Sequence, residues 1–379
     1  MSAHKALGGR ILTPPVIGLG ILALIGFYFL AVRFIGGMGA VTNLNGGHAW
    51  GIWVVYDVVV GTAFACGGYA LAITIYVLNK GRYHPLIRPA VLASLLGYAL
   101  GGFGAFFDMG RWWQFYNILL PWNWNFNSVM LEVGLCVMTY ILVLVIEFAP
   151  AVLERFGIKG LQLKLEKVLF FFIALGVLLP TMHQSSLGSL LIAMGHKVDP
   201  LWQSMQLLPL LAILSAVTMG FSIVLFEASF VTVGFRRPSE SHLLQGLSRA
   251  IVGLLSAFLL VRFAELLLRG KLGLAFAFDF ASLMFWLETA LFVVPLVVLL
   301  SPGRRSQGRQ LLIAAVSMLF AGALWRFNAY LITFNPGPGY SYFPSVPEIM
   351  VTVGIVAFEV MAYIVLVKLL PVLHDTGRA

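Results

Sequence analysis

Ten apolar runs, each near or above the ~20 residues that a helix needs to cross a bilayer core, dominate this chain. They lie near residues 14–35, 49–79, 86–107, 125–149, 164–181, 207–232, 247–268, 278–300, 309–333 and 346–370. The runs are continuous, whereas the strands of a membrane barrel alternate, so helices are the expected element. Only 10% of the 379 residues are charged and 60% are hydrophobic, too few charges to cover a normal water-exposed surface. Lipid is therefore the expected solvent. The expected fold is an all-α, polytopic membrane helical bundle with about ten transmembrane helices, forming one integral membrane domain over residues 1–379. The fifth run is the shortest, and its expected end at 181 puts residues 182–206 in a loop.

The basic residues set an expected orientation. Lys5, Arg10, Lys80, Arg82, Arg88, Arg155, Lys159, Lys164, Lys167, Arg236, Arg237, Arg249, Arg304, Arg305, Arg309, Lys368 and Arg378 fall in alternate gaps on one side, 17 of the 24 Lys and Arg. The positive-inside rule then puts both termini in the cytoplasm. The formal charge of +9 reads as topology, because no basic stretch is long enough to follow a phosphate backbone. The opposite gaps are rich in Gly, Asn, Pro and aromatic residues, as in Pro121-Trp122-Asn123-Trp124-Asn125 and Asn335-Pro336-Gly337-Pro338-Gly339-Tyr340. Such loops suit an interfacial aromatic belt or a docking surface.

Ionisable residues inside a bilayer are expensive and usually have a partner or a function. On the expected outer side, Asp57 and Glu132 lie about two turns inside spans two and four, and Glu288 lies at similar depth in span eight. Asp108, Arg111, His183, Arg262, Glu265, Arg326 and Asn328 sit at expected outer ends. Arg262 with Glu265, and Asp108 with Arg111, have the spacing of pairs within one helix face. His183, within Pro180-Thr181-Met182-His183-Gln184-Ser185-Ser186, is expected where a helix breaks, as a cap or as a ligand-facing donor. Glu147, Glu227 and Glu359 form an inner group. Glu132 and Glu147 are 15 residues apart, which leaves them about 60° apart around a helix and ~22 Å along it. Carboxyls so placed can relay protons, Glu288 included; the plainer reading of Glu147 is a helix end at the headgroups.

Small residues recur on two helix faces: Ser94, Gly97, Gly101 and Gly104 leading to Asp108, and Asp57, Gly61, Ala65 and Gly68. They allow tight helix packing, or a slot for a flat ring. Polar residues at matching places suggest a weak parallel repeat over 49–181 and 207–333, hence two four-helix bundles. Cys66 and Cys136 are too few for an Fe–S cluster, which normally takes four thiolates. None of the seven histidines is expected in the middle third of a span, which argues against the facing pair that holds a b-type haem.

Several motifs together resemble one family. They are Leu44-Asn45-Gly46-Gly47, Trp50-Gly51-Ile52-Trp53 running to Asp57 and Gly61, Ala65-Cys66-Gly67-Gly68, Tyr83-His84-Pro85-Leu86, Asn127-Ser128 with Glu132, Glu147-Phe148-Ala149-Pro150, the stretch around His183, Pro200-Leu201-Trp202-Gln203-Ser204, Trp325-Arg326 and Asn335-Pro336-Gly337. The chain resembles the polysulfide-reductase membrane-subunit (NrfD-like) family, and within it the quinone-reactive, "cytochrome b"-labelled membrane subunits of hydrogenase-2 type respiratory [NiFe] hydrogenases. The resemblance implies two four-helix bundles with two flanking helices in a bacterial inner membrane. It implies anaerobic electron transport without haem, from a periplasmic ferredoxin-like Fe–S subunit and the [NiFe] small and large subunits to a menaquinone-type quinone. In that setting Trp53, Asp57, His183 and Arg111 are the expected quinone-binding residues. Glu132 is the expected proton donor or acceptor, followed by Glu147, Glu227, Glu359 and Glu288. Other readings are a secondary transporter, whose broken helices and buried acids look similar, and a passive membrane anchor.

Overall fold

The computed structural model describes residues 4–204, 206–235 and 241–374. Arg236, Arg237 and Arg378, part of the orientation argument, lie outside the described residues. Among the described residues, ten helices are long and apolar enough to cross a membrane. They are α1 (Pro14–Gly36), α2 (Val54–Val77), α3 (Ile87–Asp108), α4 (Val129–Arg155), α5 (Lys159–Met194), α6 (Leu208–Gly234), α7 (Ser241–Leu268), α8 (Phe280–Leu300), α9 (Gly308–Phe327) and α10 (Val346–Leu369). A two-residue strand, β1 (His4–Lys5), pairs antiparallel with β2 (Leu373–His374), His4 opposite His374.

The chain divides into two compact units. The first comprises Met1–Thr62, His84–Leu179 and Pro336–Ala379; the second comprises Ala63–Tyr83 and Pro180–Asn335. In the first unit α1 packs along α10, while α3 packs against α4, α10 and the first half of α2. The α1–α10 contact is close because Gly26 and Gly354 face each other. A Cβ on Gly26 would stand 2.8 Å from the Gly354 Cα, so small residues set this approach. In the second unit α6 packs on α7, α9 and the second half of α2, and α8 packs on α7 and α9.

Two helices depart from the expected pattern. α2 begins with π-helical turns over Val54–Gly61, breaks after Phe64, resumes at Gly67 and ends π-helical over Ile73–Val77. Extra residues in single turns re-aim side chains, and such turns are common at functional sites. The span expected to end at 181 instead continues as α5 through Pro180 to Met194, which puts His183 inside a helix and not at a break. A proline removes one backbone donor but does not end a helix whose environment is lipid, where an unravelled turn would expose more polar groups than the proline does. α4 starts at Val129, four residues later than expected, so Glu132 lies in its first turn and is exposed.

Candidate functional site

In the first unit two loops interlock around Glu348, which the sequence reading passed over. Ser345 caps α10: its hydroxyl accepts from the Glu348 N–H at 3.2 Å, and Glu348 Oε2 accepts from the Ser345 N–H at 2.7 Å. The signal was present as Ser345 followed three residues later by Glu348. The buried Glu348 carboxylate also accepts from the Asn43 N–H at 3.0 Å and from the Tyr342 hydroxyl at 2.6 Å. Burial, and the Glu348 carboxylate beside it, push the Tyr342 hydroxyl above its ordinary value, so it remains a donor. Tyr342 in turn accepts from the Ile52 N–H at 3.0 Å. Gly51 is required here, since a Cβ would stand 2.8 Å from the Tyr342 hydroxyl oxygen.

This lock fixes the start of α2. Trp53 is 1% exposed; its ring meets Phe107 edge-on at 5.4 Å, and its N–H donates to the Glu348 carbonyl at 3.0 Å. Trp53 is thus part of the wall, in a core with Val41, Phe107, Val351 and Ile355. One helical turn further, Asp57 is 4% exposed and its carboxyl lies against Gly104 of α3. Among the described residues its Oδ2 has no hydrogen-bond partner. Asp108 does not pair with Arg111, which is exposed in the loop that follows. The nearby cation is Arg33 of α1, which in the sequence counts only as one of the basic residues on the expected outer side. It is buried, donates through Nε to the Phe107 carbonyl at 2.6 Å and through Nη2 to the Met109 carbonyl. A cation there suits the carbonyls left over at the end of α3.

The second unit has a different polar centre. Glu288 of α8 is fully buried and pairs with Arg262 of α7. Its Oε2 also accepts from Trp202 Nε1 and from Asn328 Nδ2, each at 2.7 Å. Arg262 therefore reaches across to α8, and Glu265 of the same helix accepts from the Ser204 hydroxyl. The expected Arg262–Glu265 pairing gives way because Glu288, fully shut off from solvent, has more need of a counter-charge than a residue near a helix end. His183 is 1% exposed, with a ring nitrogen 3.1 Å from Gln184 Nε2; Gln184 Oε1 accepts from Arg326 at 3.3 Å. Beyond the spans, Asp199 accepts from the Leu201 N–H at 2.9 Å. Burial pushes its carboxyl above the ordinary value; that hydrogen bond opposes the shift and Asp279 adds to it.

The remaining expected carboxyls are dispersed. Glu147 of α4 is half-buried against Gly176 of α5, and its Oε1 has no partner among the described residues. Glu227 of α6 and Glu359 of α10 are half-buried. Trp53, Asp57, Arg111, Glu132, Glu147 and Glu359 thus belong to the first unit, and His183, Glu227 and Glu288 to the second. Cys66 and Cys136 are both buried. No group of three or more His, Cys, Asp or Glu among the described residues could hold a metal ion.

Known proteins share this arrangement of sequence. Residues 40–333 match the family described as polysulphide reductase, NrfD. The chain is 50% identical to the probable Ni/Fe-hydrogenase 2 b-type cytochrome subunit of Escherichia coli, over 97% of this chain and 95% of that one. It is 26% identical to the menaquinone reductase integral membrane subunit of Nitratidesulfovibrio vulgaris, over 88% of this chain and 85% of that one. A second protein of that organism is 31% identical over 98% of this chain. With ten helices among its described residues long and apolar enough to span a membrane, and a match over most of its length, the chain belongs to the NrfD polysulphide reductase family of polytopic membrane proteins.

Proposed function

We propose that this chain is the membrane subunit of a respiratory hydrogenase complex, carrying electrons between an Fe–S partner and a menaquinone-type quinone. The observation that carries the reading is Asp57: a buried carboxyl with an oxygen open to a new donor, on a π-helical turn behind an interlocked pair of loops. A quinone oxygen becomes strongly basic as it is reduced, and a proton must reach it from an acid within hydrogen-bond reach. In this reading the quinone head group enters the first unit beside Asp57, and Trp53 supplies the wall and Arg111 the mouth of the site. His183, held by Gln184 in the second unit, is left outside this narrowed site. Likeness to the hydrogenase-2 and menaquinone-reductase membrane subunits supports the reading.

Each quinone takes up two electrons and two protons. Glu132, exposed at the start of α4, is the proposed exchange point with the outer water. Glu359 and Glu147 form the proposed inner route on the first unit, with Glu227 on the second. Glu288 is the weakest member, because passing a proton through it would require opening three contacts in which it is the acceptor. The proposed setting is a bacterial inner membrane with both termini in the cytoplasm, and with the ferredoxin-like Fe–S subunit and the [NiFe] small and large subunits on the periplasmic side.

The likeness to a subunit named as a b-type cytochrome raises haem. Of the seven histidines, His183 alone is buried within a helix; His4 and His374 lie in strands, and His48, His84, His196 and His242 in loops, short turns or a helix start. His183 does lie well inside its helix, against the sequence expectation, but this set offers no second axial ligand from a facing helix. No step here runs through haem.

The test is photolabelling of the purified complex with a photoreactive menaquinone analogue. Labels within residues 45–57 or 104–111, displaced by menaquinone, are expected. Displaceable labels confined to the second unit would sink the assignment.

A further inference from the structure

The second unit contains a small cavity whose walls include Trp202, Ser204, Arg262, Glu265, Leu266 and Trp325. Its volume of ≈ 10 Å³ is about the least that admits one water molecule. Two independent observations meet there. Arg262 is 3% exposed, and its Nη2 has no hydrogen-bond partner among the described residues, although Nη1 is committed to Glu288. A buried guanidinium nitrogen left without an acceptor is costly, and native interiors rarely leave one so. On the same wall Glu265 presents a carboxylate whose Oε1 accepts from the Ser204 hydroxyl.

We propose that this cavity is a binding site for a single water molecule, which accepts from Arg262 Nη2 and donates to the Glu265 carboxylate. Charge selects a neutral occupant. The Arg262 charge is already balanced by Glu288, the Arg269 guanidinium beside the wall donates to the Gln203 carbonyl, and Glu265 lines the cavity, so an anion would meet a carboxylate. A cation would meet the guanidinium. Size excludes anything larger than water. The bound water links the Ser204–Glu265 hydrogen bond to the Glu288 cluster with Trp202 and Asn328. The result is one hydrogen-bonded column within the second unit, running from the Gln203–Ser204 loop to the π-helical turn at Asn328. The assignment does not depend on where the quinone binds.

Two measurements test it. A cryo-electron-microscopy map of the purified complex, at a resolution that orders waters, should show a peak within hydrogen-bond distance of Arg262 Nη2 and Glu265. Ordered side chains without that peak, or Arg262 Nη2 bonded to a protein acceptor, would overturn the proposal. X-ray radiolytic footprinting, in which bound waters oxidise adjacent side chains, should label Trp202 and Trp325 despite their burial. Filling the cavity with Leu211→Phe should lower both rates several-fold and leave Trp53 unchanged. Unchanged Trp202 and Trp325 rates in a properly assembled variant count against the site. If that variant fails to accumulate, the wild-type map decides.

Discussion

Asp57 and Glu288 are both buried carboxyls in spanning helices, yet their surroundings differ. Glu288 accepts from a guanidinium, an indole and an amide. Asp57 rests on a glycine face and keeps an oxygen without a partner among the described residues. A carboxylate satisfied on all sides holds helices together and has no capacity left for a substrate. One with an open oxygen gives up stability for the ability to receive a ligand or a proton. The difference separates two roles that look identical in sequence, where each is a lone acid within an apolar run.

The comparison can be broken by substitution. The largest effect is expected from Glu288→Ala, which strands Arg262 in an apolar interior at a cost of about 3–5 kcal/mol. The chain should then fail to accumulate in membranes, as read by immunoblot; normal levels would show that the pair is not structural. Asp57→Asn should leave the chain and hydrogen-to-dye activity intact. It should slow hydrogen-to-quinone electron transfer by about 10²-fold or more, the usual loss on removing a general acid. Undiminished quinone turnover would place Asp57 with the packing residues.

Smaller effects probe the lock around α2. Glu348→Gln replaces a charged acceptor that serves three donors and should cost about 1.5–3 kcal/mol, seen as faster proteolysis within residues 335–348. Trp53→Phe removes one hydrogen bond, about 1 kcal/mol; an unchanged quinone KM is expected if Trp53 is only wall, and a raised KM would restore it as a stacking partner. Least of all, Asp199→Asn should raise thermal stability slightly at neutral pH. Its carboxyl titrates above the ordinary 3.8 in the folded chain, so the folded state gains from protonation. That gain is present below the unfolded value and is lost as pH rises through the folded one. The benefit of the variant should therefore vanish at low pH; a benefit that persists there would point to another cause.

Much of the candidate site was legible because membrane insertion penalises every buried charge, so Asp57, Glu147, Glu288 and Glu359 stood out from their runs. Their pairing was not legible. Neighbours at three residues suggested Arg262 with Glu265 and Asp108 with Arg111, but Arg262 pairs with Glu288 of another helix, and Arg111 is exposed while the cation buried at the end of α3 is Arg33 of α1. Arg33 counted only towards orientation and Glu348 carried no signal of its own, because each lies near a span end, where a charge needs no explanation.

Sequence alone determined that this chain is a polytopic helical membrane protein of about ten spans, because the energy of placing backbone and charge in lipid depends on local composition. Tertiary structure decided which acids are satisfied and which remain open, that α5 continues through Pro180, and that Glu348 secures the loops before α2. Those outcomes depend on contacts between segments as far apart as Asn43 and Glu348, and no local pattern encodes the distance at which such groups meet.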